Sequence, residues 1–188
     1  MRLWTVQHHH AVPALEEAGR LVGDWQRVSP TWRSAYELMV GEMRQRGIDC
    51  AGRPPMWAWA GPDTRDERVT VTVELLLSLH EWEQGVVVLD LDVPDELVLL
   101  SSYSGWNDLL EAVLTGAASP VMDWSVGPDD LHDPVQCGVQ ACLPFIHPSW
   151  VRGIRPIERP ADEAEEAETA EAEEAEDVTE APAAPRAE

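Results

Sequence analysis

The chain has 188 residues, of which 44% are hydrophobic, and a formal net charge of −22. This length and composition fit one domain with an appendage, and no apolar run approaches the roughly 18 residues of a membrane span. The negative field disfavours non-specific nucleic-acid binding, and the N-terminus lacks a signal peptide's apolar centre, so we expect a cytoplasmic protein without membrane contact.

The first half of the chain alternates short extended and helical segments. Residues 3–6 read as a strand, and residues 11–19 as a short helix. A longer helix then begins with Ser29 as its cap and Pro30 at its first helical position. Its apolar stripe has helical spacing and consists of Trp32, Tyr36, Met39, Val40 and Met43.

The middle of the chain is rich in strand signals. Residues 56–60 follow two prolines and are predicted to be extended, and the alternation in residues 69–73 predicts a half-buried strand. Residues 86–91 form the strongest strand signal, and residues 97–101 are predicted to be extended as well.

The last third of the body contains one helix and two strands. Ser104 is the predicted cap of a helix that runs to Leu114. Residues 139–145 and 153–157 are predicted strands on either side of a helical turn. Several short strands with two or three helices, not in strict alternation, predict a single α+β domain with a small mixed or antiparallel sheet.

An acidic tail follows this domain. We predict that residues 1–158 form the folded domain and that residues 159–188 are disordered, because the tail has no aromatic residue and no apolar face. From Pro160 onward it carries 12 acidic residues and one arginine. It either solubilises the protein or acts as an acidic docking or nucleic-acid-mimicking segment.

The basic residues and the cysteines indicate the source and the compartment. All 13 basic residues are arginine, which suggests a GC-rich coding sequence of actinobacterial or actinophage type. The chain has an odd number of cysteines, and their spacing does not match a disulfide framework, so we expect reduced thiols. They are Cys50, Cys137 and Cys142.

Two tryptophans lie two positions apart in the segment "PPMWAWAG" at residues 54–61. On a strand, Trp57 and Trp59 point to one side of the sheet, and Ala58 and Ala60 to the other. The two indoles form either a wall of the core or a platform on which a base or a nicotinamide ring stacks.

Polar residues on the first strand are a second candidate feature. Thr5 and Gln7 share one side of this strand, whereas Trp4 and Val6 share the other. The two polar side chains either meet solvent or line a cleft.

Hydroxyl groups and arginines near these strands have two interpretations each. Ser101, Ser102 and Tyr103 either make capping and hairpin hydrogen bonds or contact a ligand. The three arginines that flank the tryptophan strand either form internal ion pairs or bind a pyrophosphate. They are Arg53, Arg65 and Arg68.

The sequence does not predict a metal site or a required cofactor. Three consecutive imidazoles, His8 to His10, do not converge on one ion in a regular strand or helix, so we interpret them as a polar turn. Cys137, Cys142 and His147 have no standard zinc spacing.

Four segments together resemble a known family. They are "LWTVQ" at 3–7, "AYELMVGEMRQR" at 35–46, "PMWAWAG" at 55–61, and "VVVLDLDVPDELVLLSSYSGWNDLLEAVL" at 86–114. Their order and content are similar to the bacterial family called domain of unknown function 3841, over about residues 1–157. Because the function of this family is unknown, the resemblance does not indicate an activity.

A second resemblance is to the ADP-ribosyltransferase-like fold. It rests on "LWTVQ" and on "VQACLPFIHPSWVRGIRPI" at 139–157. The resemblance implies a cleft for a nucleotide-type ligand such as NAD, with Gln140 near the catalytic position and Thr5 or Gln7 near the cofactor.

These observations lead to two hypotheses. In the first, the protein binds a nucleotide-type ligand and either only binds it or also turns it over, with Gln140 as the candidate catalytic residue. The wall of that cleft would consist of Thr5, Gln7, Trp57, Trp59, Tyr103 and Gln140. In the second, the protein is a non-catalytic protein-interaction module, of phage or host-directed type, with an acidic docking tail. The sequence leaves the oligomeric state open.

Overall fold

One antiparallel sheet forms the framework of the protein. The structure, a computed structural model, describes residues 1–60, 85–118, 120–126 and 138–157. In these ranges the strands are β1 (Arg2–His8), β2 (Met56–Ala60), β3 (Val86–Asp92), β4 (Leu99–Ser102), β5 (Val139–Leu143) and β6 (Val151–Pro156). Their order in the sheet is β4-β5-β2-β1-β3-β6, and every pairing is antiparallel.

Three α-helices accompany the sheet in the described ranges. They are α1 (Ala11–Ala18), α2 (Arg33–Gln45) and α3 (Tyr103–Leu114). Short 3₁₀ turns occupy Trp25–Arg27, Pro30–Trp32, Asp95–Leu97 and Pro148–Trp150. Helices and antiparallel strands in one unit, Met1–Pro156, confirm the predicted α+β class.

The two faces of the sheet have separate hydrophobic cores. The first face packs against Leu15 of α1, and its core includes Leu3, Ala58, Leu89, Ala141 and Leu143. The second face packs against α2 and α3, and its core includes Met39, Met43, Leu99, Trp106, Leu109 and Cys142. Because strand residues alternate between the faces, β2, β4 and β5 contribute to both cores.

One predicted helix cap lies at the expected position and the other is wrong. Ser29 is the N-cap residue of the 3₁₀ turn Pro30–Trp32 that precedes α2, with Pro30 in its first turn, although the Ser29 side chain makes no capping hydrogen bond. Ser104 is not the cap of α3; the hydroxyl of Ser102 accepts a hydrogen bond from the Gly105 backbone N–H, so the helix begins earlier, at Tyr103. A serine at either position could act as a helix cap. Because β4 ends at Ser102 and the helix begins at the next residue, Ser102 is the cap.

Some predictions concern residues outside the described ranges. These are the strand at residues 69–73, the side chains of Arg65, Arg68 and Cys137, and the acidic tail at 159–188. Among the helices of the described ranges, none combines the length and the apolar character that crossing a membrane requires.

Candidate functional site

A row of directly paired residues crosses all six strands. Gln140 on β5 is paired with Trp59 on β2, and Trp59 is paired with Trp4 on β1. From β4 to β6 the complete row is Ser101, Gln140, Trp59, Trp4, Asp90 and Gly153. Paired residues of antiparallel strands place their side chains on the same side. We call this side, which also carries Trp57, the indole face.

Trp59 lies at the centre of an aromatic group on the indole face. Its ring stacks on Trp4 with the centroids 6.0 Å apart, and it meets the Tyr103 ring edge-on at 5.3 Å. Trp4 is buried, whereas Trp59 and Tyr103 are half-buried. Trp59 and Tyr103 are therefore the members of this group that solvent reaches.

Trp57 belongs to a second aromatic group on the same face. Its ring centroid lies 4.9 Å from that of Trp106 and 5.8 Å from that of Tyr36. These partners come from α3 and α2, so Trp57 joins the sheet to both helices. Burial raises the pKa of the Tyr36 phenol, although the adjacent Trp57 indole opposes part of the rise. Trp57 thus contributes to a wall of the core.

Two buried polar atoms on the indole face lack hydrogen bonds. They are Oε1 of Gln140 and Oγ of Ser101, and neither has a hydrogen-bond partner in the structure as described. Gln140 is 4% exposed and Ser101 is 0% exposed. Each such atom costs roughly 1–3 kcal/mol of stability. An unsatisfied acceptor and an unsatisfied hydroxyl are therefore concentrated beside the aromatic groups.

Thr5 and Gln7 lie on the opposite face of the sheet from Gln140. Thr5 is buried, and its hydroxyl donates to the Trp57 backbone oxygen at 2.6 Å. The Gln7 side-chain amide donates to the Thr5 hydroxyl at 2.9 Å. β1, β2 and β5 are neighbours in the sheet, but Gln7 and Gln140 do not face each other across a pocket, because they point to different sides.

Four of the six predicted wall residues are on or over the indole face. They are Trp57, Trp59, Tyr103 and Gln140. Arg53 is exposed, and its guanidinium donates to the Gly23 carbonyl at 3.5 Å. The described polar contact of the Arg53 side chain is thus with a backbone oxygen.

The histidine run lies at the junction of β1 and α1, as a polar strand-to-helix turn. The predicted turn brings the three rings close together: one ligand nitrogen from each ring lies within 4.8 Å of the others. The chain turns after His8, so the alternation of a regular strand no longer separates the rings. Partial desolvation and the adjacent His9 and His8 rings lower the pKa of His10.

Sequence reasoning missed the role of Trp4 and the pairing of Ser101 with Gln140. The alternation along β1 placed Trp4 on one side of its strand, but the register to β2 was needed to bring it against Trp59. The hydroxyl of Ser101 was recognised as a possible ligand contact. Its position opposite Gln140 depends on the pairing of β4 with β5.

The comparisons with known proteins give one family. The family model for the Domain of unknown function (DUF3841) matches residues 2–118. This range includes Trp4, Trp57, Trp59 and Tyr103 but ends before Gln140. Neither the curated proteins nor the solved structures gave a significant match.

Proposed function

We propose that this chain, which belongs to the DUF3841 family, binds a nucleotide-type ligand such as NAD through its planar base or nicotinamide ring. The ligand would bind on the indole face, beside Trp59, Tyr103 and Gln140. The observation that carries the proposal is the pair of buried polar atoms without hydrogen bonds, in Gln140 and Ser101, next to a half-buried aromatic pair.

The aromatic pair supplies the stacking surface. Trp59 and Tyr103 are in contact and are both half-buried, so part of each ring is available to a ligand. Stacking of a base on an aromatic side chain contributes roughly 1–3 kcal/mol and tolerates different bases. The planar ring of the ligand is therefore the part that Trp59 and Tyr103 recognise.

The buried polar atoms supply the specificity. The Gln140 amide oxygen accepts a hydrogen bond from an amino or amide group on the edge of the ring, and the Ser101 hydroxyl either donates or accepts. Binding then removes the cost of the unsatisfied atoms. Because Gln140 is only 4% exposed, neighbouring side chains on the indole face must move to admit the ligand.

The proposal concerns binding of the ligand. Turnover would need a further group, because Gln140 alone does not supply a general base. A glutamine amide does not titrate near neutral pH, so it orients a hydroxyl or an amide rather than acting as a general base. The net charge of −22 opposes the phosphates of a nucleotide. We therefore assign most of the affinity to the ring.

A pair of matched variants tests this proposal. NAD, nicotinamide and adenosine are added separately at millimolar concentration, and the thermal midpoint and tryptophan fluorescence are measured. We expect at least one ligand to raise the midpoint, since a ligand that binds only the folded state stabilises it. Gln140→Met should fold with equal or greater stability, because Oε1 of Gln140 has no hydrogen bond that the substitution would remove. The variant should lose the ligand-induced shift of the thermal midpoint.

Gln45→Met is the control, because Gln45 is an exposed residue of α2 and undergoes the same chemical change. It should keep the full ligand-induced shift. The proposal is overturned if none of the three ligands shifts the wild-type midpoint, or if Gln140→Met responds like the control. The first result would favour the protein-interaction module, whose docking tail lies outside the described residues.

A further inference from the structure

Three imidazoles converge at the turn between β1 and α1. The ring centroids of His8, His9 and His10 are 3.8 to 4.8 Å apart. One ligand nitrogen from each ring lies within 4.8 Å of the other two. His9 and His10 are exposed and His8 is half-buried, so the group is open to solvent on one side.

The protein already orients the His9 ring. Its Nδ1 lies 3.2 Å from the Gly85 carbonyl oxygen, which only accepts, so Nδ1 carries the proton and Nε2 carries the lone pair. The His9 backbone N–H donates to the same oxygen at 3.0 Å. Metal-bound histidines commonly donate their other ring N–H to a backbone carbonyl in this way.

Gly85 allows this close approach. Its φ is +87°, and a Cβ at this position would lie 3.0 Å from Nδ1 of His9. Any larger residue would therefore be strained and would press on the ring. The glycine at position 85, immediately before β3, therefore allows its carbonyl oxygen to lie within hydrogen-bond distance of the His9 ring.

The other two rings need only small movements to share an ion. A tetrahedral ion with metal–nitrogen bonds of about 2.0–2.1 Å places its ligand nitrogens about 3.3 Å apart. The His10 backbone N–H makes a long hydrogen bond of 3.3 Å to Nδ1 of His8, which a stronger metal bond can replace. Rotation of the exposed His10 side chain shortens the remaining distance from 4.8 Å.

We propose that His8, His9 and His10 form a surface site for a divalent transition-metal ion such as Zn²⁺. Imidazole ligands suit zinc, copper and nickel, whereas magnesium and calcium prefer oxygen ligands. The net charge of −22 raises the local concentration of cations. Three protein ligands leave a fourth position of a tetrahedral ion for water or another molecule.

Calorimetric titration of the full chain, prepared without an affinity tag, tests this site. We expect the wild type to bind one equivalent of Zn²⁺ and to give no comparable signal with Mg²⁺. The double variant His9→Gln, His10→Gln should bind Zn²⁺ at least about tenfold more weakly, since losing metal-site groups typically costs 10–100-fold in affinity. Circular dichroism checks that the variant folds, which exposure of both residues favours.

His147→Gln is the matched control, because His147 lies at another turn, where its Nδ1 is 2.8 Å from the Ser149 hydroxyl. Its Zn²⁺ affinity should equal that of the wild type. The proposal is overturned if the wild type binds no Zn²⁺ at micromolar concentration. It is also overturned if the double variant binds as tightly as the control, because the ion would then bind elsewhere.

Discussion

The ring of Trp59 lies directly against the backbone of Gly138. A Cβ added at Gly138 would come 2.8 Å from Cζ3 of Trp59 and 3.6 Å from Cβ of Tyr103. The Tyr103 backbone N–H also donates to the Gly138 carbonyl at 2.8 Å. The absence of a side chain at residue 138 therefore determines how closely the start of β5 approaches the aromatic pair.

The first prediction is that Gly138→Ala destabilises the protein by about 1–3 kcal/mol, the typical cost of overpacking. The added methyl group must displace the Trp59 ring or the backbone that precedes β5. Urea denaturation measures the loss, and near-UV circular dichroism should report the displaced indole. An unchanged spectrum together with unchanged stability would contradict the packing at this position.

The second prediction applies the same substitution to Gly41, in the interior of α2. Nothing lies within 4 Å of a Cβ at this position. Gly41→Ala should therefore stabilise the protein by roughly 0.5–1 kcal/mol, because alanine loses less conformational freedom in a helix. Urea denaturation should show opposite signs for the two glycine variants, and a loss of stability here would mean that α2 packs differently.

The third prediction concerns the hydroxyl that connects β1 to β2. Thr5→Val removes the bond to the Trp57 backbone oxygen and the acceptor of the Gln7 amide, while it keeps nearly the same shape. Because Thr5 is 2% exposed, the free energy of unfolding should fall by about 1–3 kcal/mol. Chemical denaturation measures it.

Gln7→Met is the comparison for this variant. It removes only the hydrogen bond from the Gln7 amide to the Thr5 hydroxyl, at a half-buried position. It should therefore lower the free energy of unfolding clearly less than Thr5→Val does. Equal losses in the two variants would show that the buried bond to Trp57 contributes little.

The fourth prediction is a loss of stability at alkaline pH. Burial raises the pKa of the Cys50 thiol to about 11, with a smaller contribution from Asp49. The unfolded thiol ionises at its ordinary pKa of 9.0. The stabilising effect of the neutral buried thiol is thus complete below pH 9 and is lost as the pH rises through about 11.

Urea denaturation between pH 8 and pH 10.5 measures this effect. The free energy of unfolding should fall across the range, and it should fall less in Cys50→Ala, which lacks the titrating group. Burial also raises the pKa of Cys142, so part of the fall should persist in that variant. Parallel curves for the wild type and Cys50→Ala would rule out the assigned role of Cys50.

Local patterns in the sequence were sufficient to predict most of the described elements. Period-two alternation placed Trp57 and Trp59 on one side of a strand, and the helical stripe predicted three of the four buried residues of α2, all except Ala35. The quoted segments also indicated the family whose model matches residues 2–118. The ends of elements were less certain, since Ser102 rather than Ser104 caps α3.

The composition of the indole face was decided by the tertiary structure. Alternation determines which residues of one strand share a side, but strand order and register depend on contacts between distant parts of the chain. Those contacts placed Trp4, Trp59 and Gln140 in one row and left Thr5 and Gln7 on the other face. The convergence of the three histidines likewise depends on the turn after β1, because the spacing of consecutive residues does not specify the direction of the chain.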